Sequence, residues 1–159
     1  MKIFWLICGL MTAPLTWAHG EAQHQDKSKP VVMEQKPWGI AASAQAVKRT
    51  IDVTMDDRMR FTPDVIDVRE GERIRFRVRN EGKIKHEMVL GSRDELMAHA
   101  EMMKRFPNME HDEPYMVHVA PGQTADIYWT FNRAGSFEFA CLLPGHFDAG
   151  MKGSLAVRK

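Results

Sequence analysis

The feature that most constrains the fold is a strict alternation of apolar and charged residues within short segments. Between residues 73 and 79, Ile74, Phe76 and Val78 alternate with four arginines. An extended strand points successive side chains to opposite faces, so this pattern predicts a strand with one buried face and one basic outer face. Comparable segments recur over residues 49–157, and turns that contain Gly or Pro separate them. Short strands at this spacing indicate an all-β sandwich.

One segment interrupts the strand pattern. The predicted strands lie at residues 49–56, 65–68, 73–79, 86–90, 115–119, 127–131, 137–141 and 153–157. Phe61-Thr62-Pro63 is expected to interrupt the alternation between the first two strands. Residues 92–106 instead predict a short Met-rich helix inserted between strands. Ser92 and Glu95 have the spacing of a capping box, strong helix formers follow, and Pro107 ends the pattern.

The N-terminus has the features of a secretory signal peptide. Lys2 supplies the positive charge, a mostly apolar run extends to Leu15, and Thr16-Trp17-Ala18 places small residues at a cleavage site. The apolar run is too short to span a bilayer comfortably. We therefore expect export and cleavage after Ala18, with no membrane span in the mature chain. The predicted organisation is a signal peptide at 1–18, a flexible polar arm at 19–47 and one domain at 48–159.

Charge and cysteine content narrow the function classes. The chain has 22 basic and 21 acidic residues and no extended basic stripe, so no nucleic-acid partner is expected. Cleavage of the signal peptide removes Cys8 and leaves Cys141 as the single thiol. A single thiol in an oxidising compartment is either an inert buried group or chemically special. His146 and Met151 follow Cys141 at intervals of five residues, which favours a metal ligand.

The donor types in this loop suit copper. Thiolate and thioether favour Cu(I), imidazole suits both oxidation states, and two His with one Cys and a weak axial Met form a blue-copper electron-transfer site. The loop supplies one imidazole, and His86, at the start of a predicted strand, is the best candidate for the second. We predict one mononuclear type 1 copper held by His86, Cys141, His146 and Met151. Zinc bound by Cys, two His and water is the alternative, but it leaves Met151 without a role.

The spacing Cys141-x₄-His146-x₄-Met151, with His86 upstream, resembles the cupredoxin family of plastocyanin- and azurin-like blue copper proteins. The resemblance covers roughly residues 48–159. It implies a Greek-key β-sandwich, one copper, and a role in copper handling or electron transfer.

Three further segments, residues 37–40, 58–63 and 102–111, resemble those of periplasmic plastocyanin-like proteins associated with bacterial copper tolerance. This likeness implies a periplasmic location. The chain departs from the family at one position. Many members carry Asn directly after the first His ligand, where its side chain braces the Cys loop, whereas Glu87 stands here. Asn80 is a candidate substitute for that brace.

A second group of metal donors lies in the insert and in the arm. The insert region contains Met97, His99, Met102, Met103, Met109, His111, Met116 and His118. Packing of an inserted helix on the sandwich is the favoured interpretation, because Met is an adaptable core residue. The alternative is a weak accessory copper site or a docking surface for a copper donor or acceptor. Cleavage after Ala18 would also make His19 a terminal chelating residue near His24, although a solvated tail is favoured there.

Three functions follow from these residues. The preferred one is a periplasmic, redox-active copper protein of copper tolerance, and the alternative is a dedicated respiratory electron carrier. An enzyme is not expected, because multicopper oxidases and copper nitrite reductases need further His-x-His and His-Cys-His clusters, which this sequence lacks. The expected partners are copper ion and a periplasmic redox or copper-transfer protein, and the protein is expected to be a monomer.

Overall fold

Two five-stranded sheets pack face to face in the computed structural model, which describes residues 33–106 and 112–159. The first sheet has the order β1-β8-β5-β2-β3, formed by Ile40–Ala41, Thr124–Thr130, Arg73–Asn80, Arg49–Asp56 and Arg60–Thr62. The second has the order β4-β10-β9-β6-β7, formed by Val65–Arg69, Lys152–Arg158, Gly135–Ala140, His86–Gly91 and Met116–Val119. One helix, α1 (Arg93–Arg105), connects β6 to β7. The predicted all-β Greek-key sandwich with a short helical insert is confirmed.

The structure corrects one predicted interruption. The sequence predicts that Phe61 interrupts the strand pattern, but Phe61 lies in β3. This strand turns back antiparallel to β2 and places Phe61 opposite Met55. The turn between them is possible because Met59 adopts a left-handed backbone conformation, with φ of 60°. Phe61 is then buried in the core and meets Phe139 edge to face, with ring centroids 5.1 Å apart. The break in hydrophobic pattern therefore marks a tight hairpin at one end of the sandwich.

Helix α1 gives the second sheet a second buried face. The Ser92 hydroxyl accepts a hydrogen bond from the Glu95 amide at 3.4 Å, as the capping-box spacing predicts. Buried helix residues pack with residues of the sheet's outer face in a cluster separate from the main core. This cluster contains Val89, Leu96, Ala100, Met116, Ala140 and Leu142. Strand β6 is consequently buried along its whole length, on both faces.

The part of the predicted arm that is described packs on the domain. Trp38 is buried and meets Tyr115 edge to face at 5.5 Å, and β1 pairs antiparallel with β8. Gly39 permits this close approach: its φ is +138°, and an added Cβ would lie 2.2 Å from the Thr130 carbonyl oxygen. The first strand of the domain thus lies inside the segment assigned to the arm. The predicted signal peptide lies outside the described residues.

The basic outer face of β5 is largely an array of ion pairs. Arg75 makes two hydrogen bonds of 2.9 Å to Asp126 on the neighbouring strand, and Arg77 lies 2.6 Å from Asp52. Exposed pairs of this kind contribute up to about 1 kcal/mol each. Within the described residues, no helix is long and apolar enough to cross a membrane.

Candidate metal centre

The predicted donors converge at one end of the sandwich. Cys141 directly follows β9, Met151 directly precedes β10, and His146 lies in the loop between these two strands. His86 is the first residue of β6, which pairs with β9. Adjacent strands that begin or end at the same end of a sheet place their terminal residues close together. The sheet register therefore brings His86 next to His146, which lies 60 positions later in the sequence.

Three donor atoms lie within reach of one metal ion. Cys141 Sγ is 3.2 Å from His146 Nδ1, and His86 Nδ1 is 3.3 Å from the same nitrogen. One nitrogen or sulfur atom from each of the three residues lies within 4.8 Å of the others. His86 and Cys141 are fully buried, whereas His146 is partly exposed. The structure thus brings together three of the four predicted ligands.

Met151, the fourth predicted ligand, is fully buried at the end of the same loop. Its carbonyl accepts a hydrogen bond from the Cys141 amide at 3.0 Å, and its own amide donates to the His146 carbonyl at 3.1 Å. These two bonds close the loop and fix the backbone of Met151 next to both residues. Its role as the axial ligand stays a prediction.

The loop is shaped by two glycines with left-handed backbone conformations. Gly145 has φ of +85° and Gly150 has φ of +94°, values that other residues adopt at an energetic cost. The Arg60 guanidinium also donates a 3.0 Å hydrogen bond to the Ala149 carbonyl, which ties the loop to the β2–β3 hairpin. The loop is therefore held by contacts that do not require a metal.

The second ring nitrogen of His86 contacts a carboxylate that the sequence did not single out. His86 Nε2 lies 3.2 Å from Asp57 Oδ1. An ionised carboxylate only accepts hydrogen bonds, so Nε2 donates a hydrogen bond to it, and Nδ1 is the ring nitrogen that faces His146. Asp57 lies in the β2–β3 hairpin, and sequence alone does not show that this hairpin reaches the start of β6.

Glu87, the residue at the departure from the family pattern, braces the Cys loop. Its side chain is fully buried, and its Oε1 accepts a 2.7 Å hydrogen bond from the Leu142 amide, directly after Cys141. Its Oε2 lies 3.0 Å from Nδ1 of His118, its cross-strand neighbour on β7. The suggested substitute, Asn80, has another role. Its side-chain amide donates to the carbonyls of Ile84 and Val119 at 2.8 Å each.

Burial sets the protonation of the donors. It raises the pKa of the Cys141 thiol to about 12, and the nearby Glu87 carboxylate adds to this rise. Burial also lowers the pKa of His146, and the neighbouring His86 contributes to the same shift. The copper-free site at neutral pH thus contains a protonated thiol and a neutral His146 imidazole. A metal that binds here displaces the thiol proton.

The donor set fits copper. A thiol and two imidazole nitrogens converge with one another, and a buried thioether lies in the same loop. Soft sulfur donors with two imidazoles match a blue-copper ligand set. Cys141 is a free, buried cysteine, so a disulfide does not compete for it.

The remaining metal-donor candidates divide between core and surface. Met103 and Met116 are buried under the insert, as the packing interpretation predicts, whereas Met97 and Met102 are about two-fifths exposed. Accessory copper binding by the insert stays a prediction. His19, His24, Met109 and His111 lie outside the described residues.

Comparison with known proteins supports the copper assignment. The family model for copper-binding proteins of the plastocyanin/azurin family matches residues 47–158. The copper-resistant cuproprotein CopI of Rubrivivax gelatinosus is 51% identical over 122 residues, which cover 77% of this chain and 74% of that protein. CopI of Pseudomonas aeruginosa is 37% identical over 153 residues, covering 76% of this chain and 82% of the relative.

Solved structures show the same fold at low sequence identity. Reduced auracyanin from Roseiflexus castenholzii superimposes with a TM-score of 0.61 and 18% identity, covering 71% of this chain and 99% of the auracyanin. Auracyanin A from Chloroflexus aurantiacus, a "blue" copper protein, gives a TM-score of 0.59 at 18% identity, with 70% and 100% covered. The two-sheet sandwich is thus a known architecture.

Proposed function

Because this chain belongs to the plastocyanin/azurin family of copper-binding proteins, we propose that it is a periplasmic type 1 copper protein that acts in copper tolerance. The observation that carries the proposal is the convergence of His86, Cys141 and His146 at one end of the sandwich. Met151 would complete the proposed ligand set as a weak thioether donor. Bound copper supplies one-electron exchange between Cu(II) and Cu(I), and the protein supplies the ligands and excludes water from Cys141.

Copper tolerance is favoured over a dedicated respiratory role by two observations. Two relatives that each match about three-quarters of this chain are named copper-resistant cuproproteins. The chain also carries a Met- and His-rich insert, which a simple electron carrier does not need. The signal peptide predicted at residues 1–18 supports the periplasmic location. We assign no enzymatic activity to the protein, and its protein partner is a periplasmic redox or copper-transfer protein.

Spectroscopy of the mature protein tests the metal assignment. Addition of one equivalent of Cu(II) is expected to give an intense visible thiolate-to-copper band and a type 1 EPR spectrum. The Cys141→Ser variant should lose both signals, whereas His99→Gln, on helix α1, should keep them. A colourless adduct, or a thiolate band that survives in Cys141→Ser, would refute the proposed site.

A genetic experiment tests the physiological role. Deletion of the gene should raise copper sensitivity and leave respiration intact, and the wild-type gene but not the Cys141→Ser gene should restore growth. Normal growth of the deletion strain at high copper would contradict copper tolerance. A respiratory defect at low copper would instead favour the electron-carrier alternative.

A further inference from the structure

Asp57 approaches the site from a different part of the chain than any predicted ligand. It lies in the hairpin between β2 and β3, and its carboxylate contacts the loop that leads into β6. Oδ2 accepts a 2.8 Å hydrogen bond from the Lys83 amide, and Oδ1 accepts a weaker one of 3.4 Å from the Ile84 amide. The carboxylate is therefore fixed by the backbone of the loop before its contact with His86 is considered.

The contact with His86 uses the ring nitrogen that points away from the other donors. Nε2 lies 3.2 Å from Asp57 Oδ1, while Nδ1 lies 3.3 Å from His146 Nδ1. The imidazole of a metal-binding His commonly donates its second N–H to a carboxylate or carbonyl, which fixes the tautomer and raises the basicity of the ligand. Asp57 and His86 have this arrangement.

A neighbouring glycine independently supports a specific contact between Asp57 and His86. Gly82 lies in the same loop, and a Cβ added there would come within 2.0 Å of Asp57 Oδ1 and 2.8 Å of its carboxyl carbon. Any side chain at position 82 would therefore displace the carboxylate from its present position. The loop has the one residue type that lets Asp57 reach His86.

We propose that Asp57 is a positioning residue for the copper site, which acts through His86 and favours Cu(II) over Cu(I). This inference rests on the proposed copper function. The hydrogen bond holds the ring as the tautomer whose Nδ1 is free to bind a metal, so the copper-free site is already oriented. The negative charge behind the ring stabilises the more highly charged copper ion more strongly, because electrostatic attraction scales with the charge of the ion.

Two substitutions separate the charge from the hydrogen bond. Asp57→Asn removes the charge and keeps one oxygen acceptor, and Asp57→Ala removes both. Asp56→Asn is the matched control, because it removes the same charge from the adjacent residue. Asp56 pairs with the Arg58 guanidinium at 2.5 Å and is not the residue bonded to His86.

The copper-loaded and copper-free proteins give separate measurements. In Asp57→Asn, the ratio of Cu(II) to Cu(I) affinity should fall about tenfold, seen as a reduction potential about 59 mV higher. Asp56→Asn should change the ratio less than about threefold. In the copper-free protein, ¹⁵N NMR should show a single His86 tautomer in the wild type and a mixture in Asp57→Ala.

The outcomes distinguish this inference from the proposed function. A wild-type protein without a thiolate-to-copper band would refute the proposed function itself. A normal wild-type band, with equal potentials for Asp57→Asn and Asp56→Asn, would overturn only the role of Asp57. A single His86 tautomer in Asp57→Ala would overturn the positioning role. If Asp57→Ala does not fold, Asp57→Asn still decides the question through the potential.

Discussion

The brace between Glu87 and the Cys loop is open to a direct stability measurement on the copper-free protein. In Glu87→Ala the buried Leu142 amide loses its acceptor, which costs about 1–3 kcal/mol. The one side-chain methylene removed from the interior, Cγ, contributes about 0.8 kcal/mol more. We therefore expect a loss of roughly 3 kcal/mol in the free energy of unfolding, which corresponds to a Tm lower by roughly 10 °C for a domain of this size.

Two further variants isolate the hydrogen bond. Glu87→Gln keeps a side-chain oxygen that can accept from the Leu142 amide, so its loss should stay below about 1 kcal/mol. Glu81→Ala is the surface control, because Glu81 is about half exposed and pairs with Arg79 only at 3.7 Å. It should change stability by less than about 0.5 kcal/mol. Urea denaturation under reducing conditions, analysed as a two-state transition, supplies all three values.

Two results would refute this account. If Glu87→Ala is as stable as Glu81→Ala, the Leu142 amide does not depend on the carboxylate. If Glu87→Gln loses as much stability as Glu87→Ala, the negative charge matters and the accepted hydrogen bond does not. With copper bound, the EPR spectrum of Glu87→Ala should broaden relative to Glu87→Gln, because Cys141 is then held less firmly.

Three other predictions concern the thiol, the arm and the proposed axial ligand, Met151. The pKa of Cys141 rises from 9.0 to about 12 on folding, because the buried site favours the protonated thiol. This contribution to the free energy of unfolding is fully present below pH 9 and is lost progressively between pH 9 and pH 12. Stability should fall by about 1.4 kcal/mol per pH unit relative to Cys141→Ala, measured by denaturation across that range. Gly39→Ala should lower stability by more than about 2 kcal/mol, because its Cβ would meet the Thr130 carbonyl. Gly122→Ala is the control for Gly39→Ala: Gly122 also has a positive φ, of +72°, but has open space around it, so this variant should lose only about 1 kcal/mol in the same denaturation assay. Met151→Leu should keep the stability of the copper-free protein within about 1.5 kcal/mol but raise the reduction potential.

The positions of the metal donors could be predicted from the sequence, because strand periodicity shows where the strands that carry them begin and end. Alternation through Phe137 and Phe139 places Cys141 at the end of a core strand, and the structure puts β9 at residues 135–140. The start of β6 at His86 also follows from the turn that precedes it. Period-2 patterns therefore located most of the strands, and the loop motif located Cys141 and His146, two of the three converging donors.

The residues that support the donors were not predictable in the same way. The contact of Asp57 with His86 depends on how far the β2–β3 hairpin extends, and that hairpin was hidden because Phe61 interrupts the alternation. Glu87 lies on the same face of β6 as Val89, which clusters with Leu96 and Ala100 of helix α1 on the outer face of the second sheet. A strand pattern alone would place Glu87 on an exposed face. Both cases depend on the packing of separate elements, which periodicity does not encode.

The contacts around the loop hold the predicted ligands through hydrogen bonds within the protein. Backbone bonds join Cys141, His146 and Met151, and Glu87 anchors the segment after the thiol. A copper ion that changes oxidation state prefers different donor arrangements, so a loop that followed the metal would reorganise at each transfer. In the proposed redox role, a loop fixed by these protein contacts would hold one compromise geometry for both states. The structure therefore places the predicted ligands on a scaffold that is held by hydrogen bonds within the protein.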